Sequence, residues 1–169
     1  PPGKGDITNM IRSYIHRCQK DGVKIVMNCE VTPELIKEEK PDSVIIATGS
    51  KTLILPIEGI DNPAIIHGSD LLDGKRAAGK KVLVVGGGMV GCETAAFLGE
   101  QEHDVTVIEF RDTVGADVIH EHRVYLMKDF EDYGIKEITG AKVCKFYEDG
   151  VEYETADGVR HESRGYDSV

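Results

Sequence analysis

No apolar run in this sequence approaches the roughly 20 residues needed to cross a bilayer, and Pro1-Pro2-Gly3-Lys4-Gly5 has neither the charged region nor the apolar core of a secretory signal. Neither a membrane span nor a signal peptide is expected. Basic residues are in the minority, 20 Lys and Arg against 30 Asp and Glu, and the formal charge of -10 argues against nucleic acid or an anionic membrane as partner. The four cysteines, Cys18, Cys29, Cys92 and Cys144, lack C-x-x-C spacing, so no zinc or dithiol site is expected and the chain reads as reduced and cytoplasmic. His120 and His122 stand two apart and share no helix face, which disfavours a metal site. An initiator Met is lacking too, and an opening on two prolines points to a piece of something longer.

Against these absences stands one well-formed stretch, residues 81 to 93. Val82 to Val85 reads as a strand buried on both faces, and Gly86-x-Gly88-x-x-Gly91 follows without a gap. In such a turn the first glycine permits the tight bend, the second lets backbone approach a pyrophosphate, and the third lets the helix pack close to the strand. The helix N-terminus then turns free N–H groups and a positive dipole end towards the phosphates. A second strand, Val105 to Ile108, ends in Glu109, about 20 residues beyond the turn as a dinucleotide fingerprint requires. A carboxylate there accepts both hydroxyl hydrogens of an adenosine ribose and repels a 2′-phosphate, favouring NAD(H) over NADP(H). Arg111 leaves an alternative open, as an arm for a 2′-phosphate or a solvated surface charge. Cys92, at the helix start, reads as small apolar packing rather than a reactive thiolate.

Flanking this βαβ unit, the pattern predicts an amphipathic helix from Asp6, its N-cap, to near Gly22, and a short strand at Val23 to Val26. Thr32-Pro33-Glu34 opens a helix that runs to about Glu39 before Pro41, and Ser43 to Ala47 reads as another buried strand. Residues 51 to 79 carry Pro56, Gly59, Pro63, Gly68, Gly74 and Gly79 and read as a connector, with one helical turn at Ser69 to Leu72. Beyond Ile119 an amphipathic helix extends to Tyr133-Gly134, with Arg123 contributing mostly its aliphatic stem. A strand at Ile135 to Ile138 follows, then a meander of Ala141 to Tyr147, Val151 to Thr155 and Val159 to Glu162. The fold class is α/β: a Rossmann-like parallel sheet with helices on both faces, plus a three-stranded antiparallel meander.

The order helix, Gly22, Val23-Lys24-Ile25, Glu30-Val31, Asp42-Ser43-Val44 recurs as helix, Gly134, Ile135-Lys136-Glu137, Lys142-Val143, Asp167-Ser168-Val169. Residues 1–50 are therefore read as the back half of one dinucleotide-binding domain, 51–79 as a connector, and 80–169 as an NAD(H)-binding domain without its last strand. Ser43 to Ala47 is expected to take that strand's place. Because the Gly86 turn is the second in such a pair, it is assigned the mobile hydride donor and the first domain the flavin.

Pro2-Gly3-Lys4-Gly5-Asp6-Ile7, Val31-Thr32-Pro33-Glu34, Ile45-Ile46-Ala47-Thr48-Gly49-Ser50 and Gly86-Gly87-Gly88-Met89-Val90-Gly91-Cys92-Glu93 together carry a resemblance over essentially the whole chain. It resembles the carboxy-terminal FAD and NAD(H) region of NADH:flavin oxidoreductases related to old yellow enzyme, the group of 2,4-dienoyl-CoA reductase and trimethylamine dehydrogenase. The resemblance implies a longer parent that carries FAD on the first domain and passes electrons from NADH towards an iron-sulfur cluster and an FMN-bearing barrel. It places Thr48 and Gly49 beside the FAD, and Gly86, Gly87, Gly88, Met89, Val90 and Gly91 around the pyridine nucleotide. It also sets Glu93 beside the nicotinamide; the plainer reading of Glu93 is an acid favouring the helix dipole. The expected partners are NADH and the missing flavin and barrel domains. The piece alone is expected to be inactive and to bind no flavin tightly. Two other readings stay open: a non-catalytic module for ADP or another nucleotide, and self-association through a truncated sheet edge.

Overall fold

A computed structural model describes residues 4–169, so Pro2 and Gly3 of the first motif lie outside the described residues. The chain divides into two compact units at the Leu53–Ile54 bond.

In the first unit, α1 (Asp6–Lys20) and α2 (Pro33–Glu39) are the regular elements. Thr32 caps α2 as its sequence requires, its hydroxyl accepting from the Leu35 N–H at 3.3 Å with Pro33 in the first turn. Asp6 is the first helical residue of α1, where it favours the dipole; Gly5 stands at the cap. The strands expected at Val23 to Val26 and Ser43 to Ala47 are not formed, and Ile45 is 91% exposed. A strand needs a neighbour for its N–H and C=O groups, and these two segments have no ladder among the described residues. Substitution of Ser43 to Ala47 into the second sheet is therefore overturned.

In the second unit, α3 (Gly68–Leu72), β1 (Lys81–Val85), α4 (Met89–Glu100), β2 (Asp104–Ile108), α5 (His120–Asp132) and β3 (Lys136–Ile138) precede the meander β4 (Ala141–Tyr147), β5 (Gly150–Thr155) and β6 (Arg160–Arg164). The parallel sheet has the order β1-β2-β3. The place beside β1 is filled by the chain's own last residues: Ser168 bridges Val82 in parallel, and the Leu83 N–H donates to the Ser168 carbonyl at 3.0 Å. Asp167 to Val169 therefore occupy the edge of β1 that was expected to go to Ser43 to Ala47.

Alternation along β1 and β2 divides two cores. Val82, Val105 and Val107 face α4 and α5, meeting Ala95, Leu98, Leu126 and Phe130. Leu83 and Ile108 face the other way, onto Ala141, Phe146, Val151 and Val169, so the meander covers that face of the sheet. Each such side chain contributes about 1.5–3 kcal/mol when fully buried. Residues read as connector also supply core: Leu71 joins the helical side and Ile65 the meander side. Among the described residues no helix is long and apolar enough to cross a membrane.

Candidate functional site

Register places the site. Val85 of β1 pairs with Ile108 of β2, so the two strands end together and Gly86 lies beside Glu109. The Gly86 N–H then donates to the Ile108 carbonyl at 2.9 Å, and the Gly87 N–H to Glu109 Oε2 at 2.6 Å. The other oxygen, Oε1, accepts from the Arg111 N–H at 2.9 Å. Both Glu109 oxygens are thus oriented by backbone before any ligand arrives, and each keeps lone-pair capacity for a further donor.

The glycines are required by space as well as by φ. Gly86 has φ +102°, and a β-carbon on Gly91 would lie 1.7 Å from the Gly86 carbonyl oxygen. On Gly87 a β-carbon would meet Val114 Cγ1 at 2.8 Å and Glu109 Cβ at 3.0 Å. Gly88 caps α4, whose first-turn N–H groups lack partners within the helix. Met89 and Val90 form that first turn and are exposed.

A segment between β2 and α5 completes the enclosure. The Gly115 N–H donates to the Gly87 carbonyl at 2.6 Å, and Val114, fully buried, packs against the turn. Arg123 of α5 holds this segment, donating from Nη2 to Thr113 Oγ1 at 3.0 Å and to the Val114 carbonyl at 3.1 Å. The Arg123 guanidinium therefore bonds the loop, where sequence pointed mainly to its stem. A cleft of about 190 Å³ results, lined by Gly87, Gly88, Glu109, Arg111, Thr113, Ala116 and Asp117. Thr113, Val114 and Asp117 did not emerge as site residues from sequence, because residues 111–118 show no periodicity; their signal is position, directly after the acid that ends β2.

Glu93, in the second turn of α4, is half-buried and faces His122 of α5, with Nε2 3.3 Å from Oε1. Cys92 is fully buried, its Sγ donating to the Gly87 carbonyl at 3.2 Å. Burial pushes its thiol up to about 11, with Asp117 and Glu109 acting in the same direction and the Gly115 N–H opposing them. Because the folded value is raised, this group's stabilising contribution is complete below pH 9.0 and is lost as pH rises towards 11. Iodoacetamide at pH 8 is expected to leave Cys92 unmodified in the native chain while alkylating exposed Cys29, as read by peptide mass spectrometry.

Thr48 and Gly49 belong to the first unit, where both are exposed and Gly49 has φ +78°. The second unit brings Gly87, Gly88, Glu109 and Arg111 together on one cleft, whereas Gly86, Met89, Val90 and Gly91 belong to the same turn and helix start without lining it. The adenosine and pyrophosphate half of a dinucleotide fits these residues: a cradle that β-carbons would fill, with a carboxylate already aimed at its rim.

The family model described as pyridine nucleotide-disulphide oxidoreductase matches residues 6–167. The bilirubin reductase of Mediterraneibacter gnavus is 32% identical over 158 residues, 94% of this chain and 25% of that protein. The NADH oxidase of Thermoanaerobacter brockii is 34% identical over 155 residues, 89% of this chain and 24% of that protein. Among solved structures, 2-naphthoyl-CoA reductase in complex with 2-naphthoyl-CoA is 34% identical with a TM-score of 0.78, covering 97% of this chain and 25% of that one. The chain thus spans about a quarter of the length of these relatives.

Proposed function

The chain belongs to the pyridine nucleotide-disulphide oxidoreductase family, and from that premise we propose that its second unit binds NADH and positions it for hydride transfer to FAD in a longer parent protein. The observation that supports this reading best is Glu109, its two oxygens held by the Gly87 and Arg111 N–H groups at the lip of the glycine turn. A carboxylate fixed there can take the two ribose hydroxyls without reorganising, and the α4 N-terminus takes the pyrophosphate. The dihydronicotinamide supplies the hydride; this chain binds, orients and selects. Glu93 of α4, set on the same helix, would face the nicotinamide end, with His122 holding its carboxylate.

NADH is preferred to NADPH on charge. The cleft sets two carboxylates, Glu109 and Asp117, against one guanidinium, Arg111, so a 2′-phosphate beside Glu109 meets net repulsion. In the parent, Thr48 and Gly49 would approach the flavin, while the piece by itself would neither hold FAD tightly nor turn over.

Isothermal titration with NADH, NADPH and ADP tests the reading. NADH is expected to bind more tightly than NADPH, and Glu109→Ala to weaken NADH about tenfold or more, as loss of hydrogen bonds to a charged acceptor does. Equal affinity for NADH and NADPH, or no effect of Glu109→Ala, would refute it. One observation favours a second reading, a non-catalytic nucleotide module: the cleft is lined by residues of the adenosine half. ADP would then bind as tightly as NADH.

A further inference from the structure

Asp117 stands where a ligand anion should go. In the Gly86-x-Gly88-x-x-Gly91 turn it is the second glycine that gives a pyrophosphate its closest approach. A β-carbon built on Gly88 would lie 3.1 Å from Asp117 Oδ2 and 3.5 Å from Oδ1, so the space before that glycine holds a carboxylate. Asp117 also lines the same cleft as Glu109 and Arg111. Its segment is anchored on the amino-terminal side, by Gly115 to Gly87 and by Arg123 to Thr113 and Val114. The Asp117 side chain itself is exposed and makes no hydrogen bond or ion pair among the described residues.

We propose that Asp117 is a built-in competing anion, whose carboxylate over Gly88 must swing away before a pyrophosphate can enter and which thereby sets the affinity of the turn. The proposal rests on the nucleotide reading above and adds a specificity-determining residue to it. An acid at the N-terminus of α4 stabilises the ligand-free form through the helix dipole. Ligand phosphates need the space before Gly88 that this carboxylate occupies, and the two negative charges repel. Only the fraction of molecules with Asp117 displaced is ready to bind, so apparent affinity falls by that fraction. The penalty falls on the phosphates alone: adenosine, which needs Glu109 and not the turn, escapes it.

The test is nuclear magnetic resonance titration of the full chain with adenosine, ADP and NADH, comparing the unaltered protein with Asp117→Asn and Asp117→Ala. Thermal melts without ligand check that each variant is folded; Asn keeps the shape and loses only the charge. The expected result is that both variants bind ADP and NADH about fivefold more tightly or better, the size of one charge at a helix N-terminus. Adenosine affinity should stay unchanged, and the salt dependence of ADP binding should alter with it. If ADP and NADH bind the unaltered chain and the variants bind no more tightly, or if adenosine shifts by the same factor, the competing-anion role is overturned and the nucleotide reading stands. If neither ADP nor NADH binds any of the three proteins, the nucleotide reading itself falls and this role with it.

Discussion

Gly91→Ala is expected to abolish NADH binding and to cost about 3 kcal/mol or more of stability, the upper range for overpacking a site that cannot relax. The added methyl would sit 1.7 Å from the Gly86 carbonyl oxygen and 2.9 Å from its carbon, and both are backbone atoms. Relief requires α4 to move away from the end of β1. That movement would break the Gly86-to-Ile108 and Gly87-to-Glu109 hydrogen bonds, which fix the Glu109 carboxylate. It would also lift Cys92, Ala95 and Leu98 off the sheet. Urea unfolding gives the stability loss, and titration with NADH the lost site. Gly68→Ala serves as the control, since its β-carbon would meet Thr94 Oγ1 at an ordinary 3.5 Å; it is expected to change neither quantity appreciably. Near-normal NADH binding by Gly91→Ala would mean that the turn is not the ligand's seat.

Hydrogen exchange should separate the two units by about a hundredfold or more in protection, with residues 4–53 exchanging first. α1 is a 15-residue helix with no buried residue; Ile7, Met10, Ile11, Tyr14 and Ile15 line one stripe and stay 46–59% exposed. Helices of this length are marginal in water without a packed face, and α2 buries nothing either. The segments at 23–26 and 43–47 have no ladder among the described residues to slow exchange. β1 and β2, by contrast, lie between two cores that leave Leu83 and Val107 fully buried. Their amides should open only with the whole second unit. Mass-spectrometric exchange on peptic peptides reads both. Protection at residues 43–47 equal to that of β2 would show that the segment has found a sheet after all.

How much of this was legible beforehand depended on whether the signal was local. The run Val82 to Val85, the glycine turn, the helix after it and Glu109 at the end of the next strand are each written in neighbouring residues, and all fall where periodicity and spacing put them. The Thr32-Pro33 cap and the meander were equally plain. The extended runs at Val23 and Ser43 have the right composition for strands, yet a strand is completed by a neighbour, and none stands beside either among the described residues. The contacts of Asp117 and Arg123 are not legible in sequence for a related reason. Each acts across a gap in sequence, Asp117 on Gly88 from 29 residues away and Arg123 on the loop before its own helix.

Local pattern alone therefore settles the α/β class, the strand–glycine turn–helix unit and the acid that ends the next strand, because propensity, glycine placement and strand-to-acid spacing are short-range properties. It took the folded chain to decide which residues close the sheet beside β1, which face the meander covers, and which carboxylate stands before Gly88. Those outcomes depend on long-range pairing and on competition for the same space, and no window of sequence contains both partners.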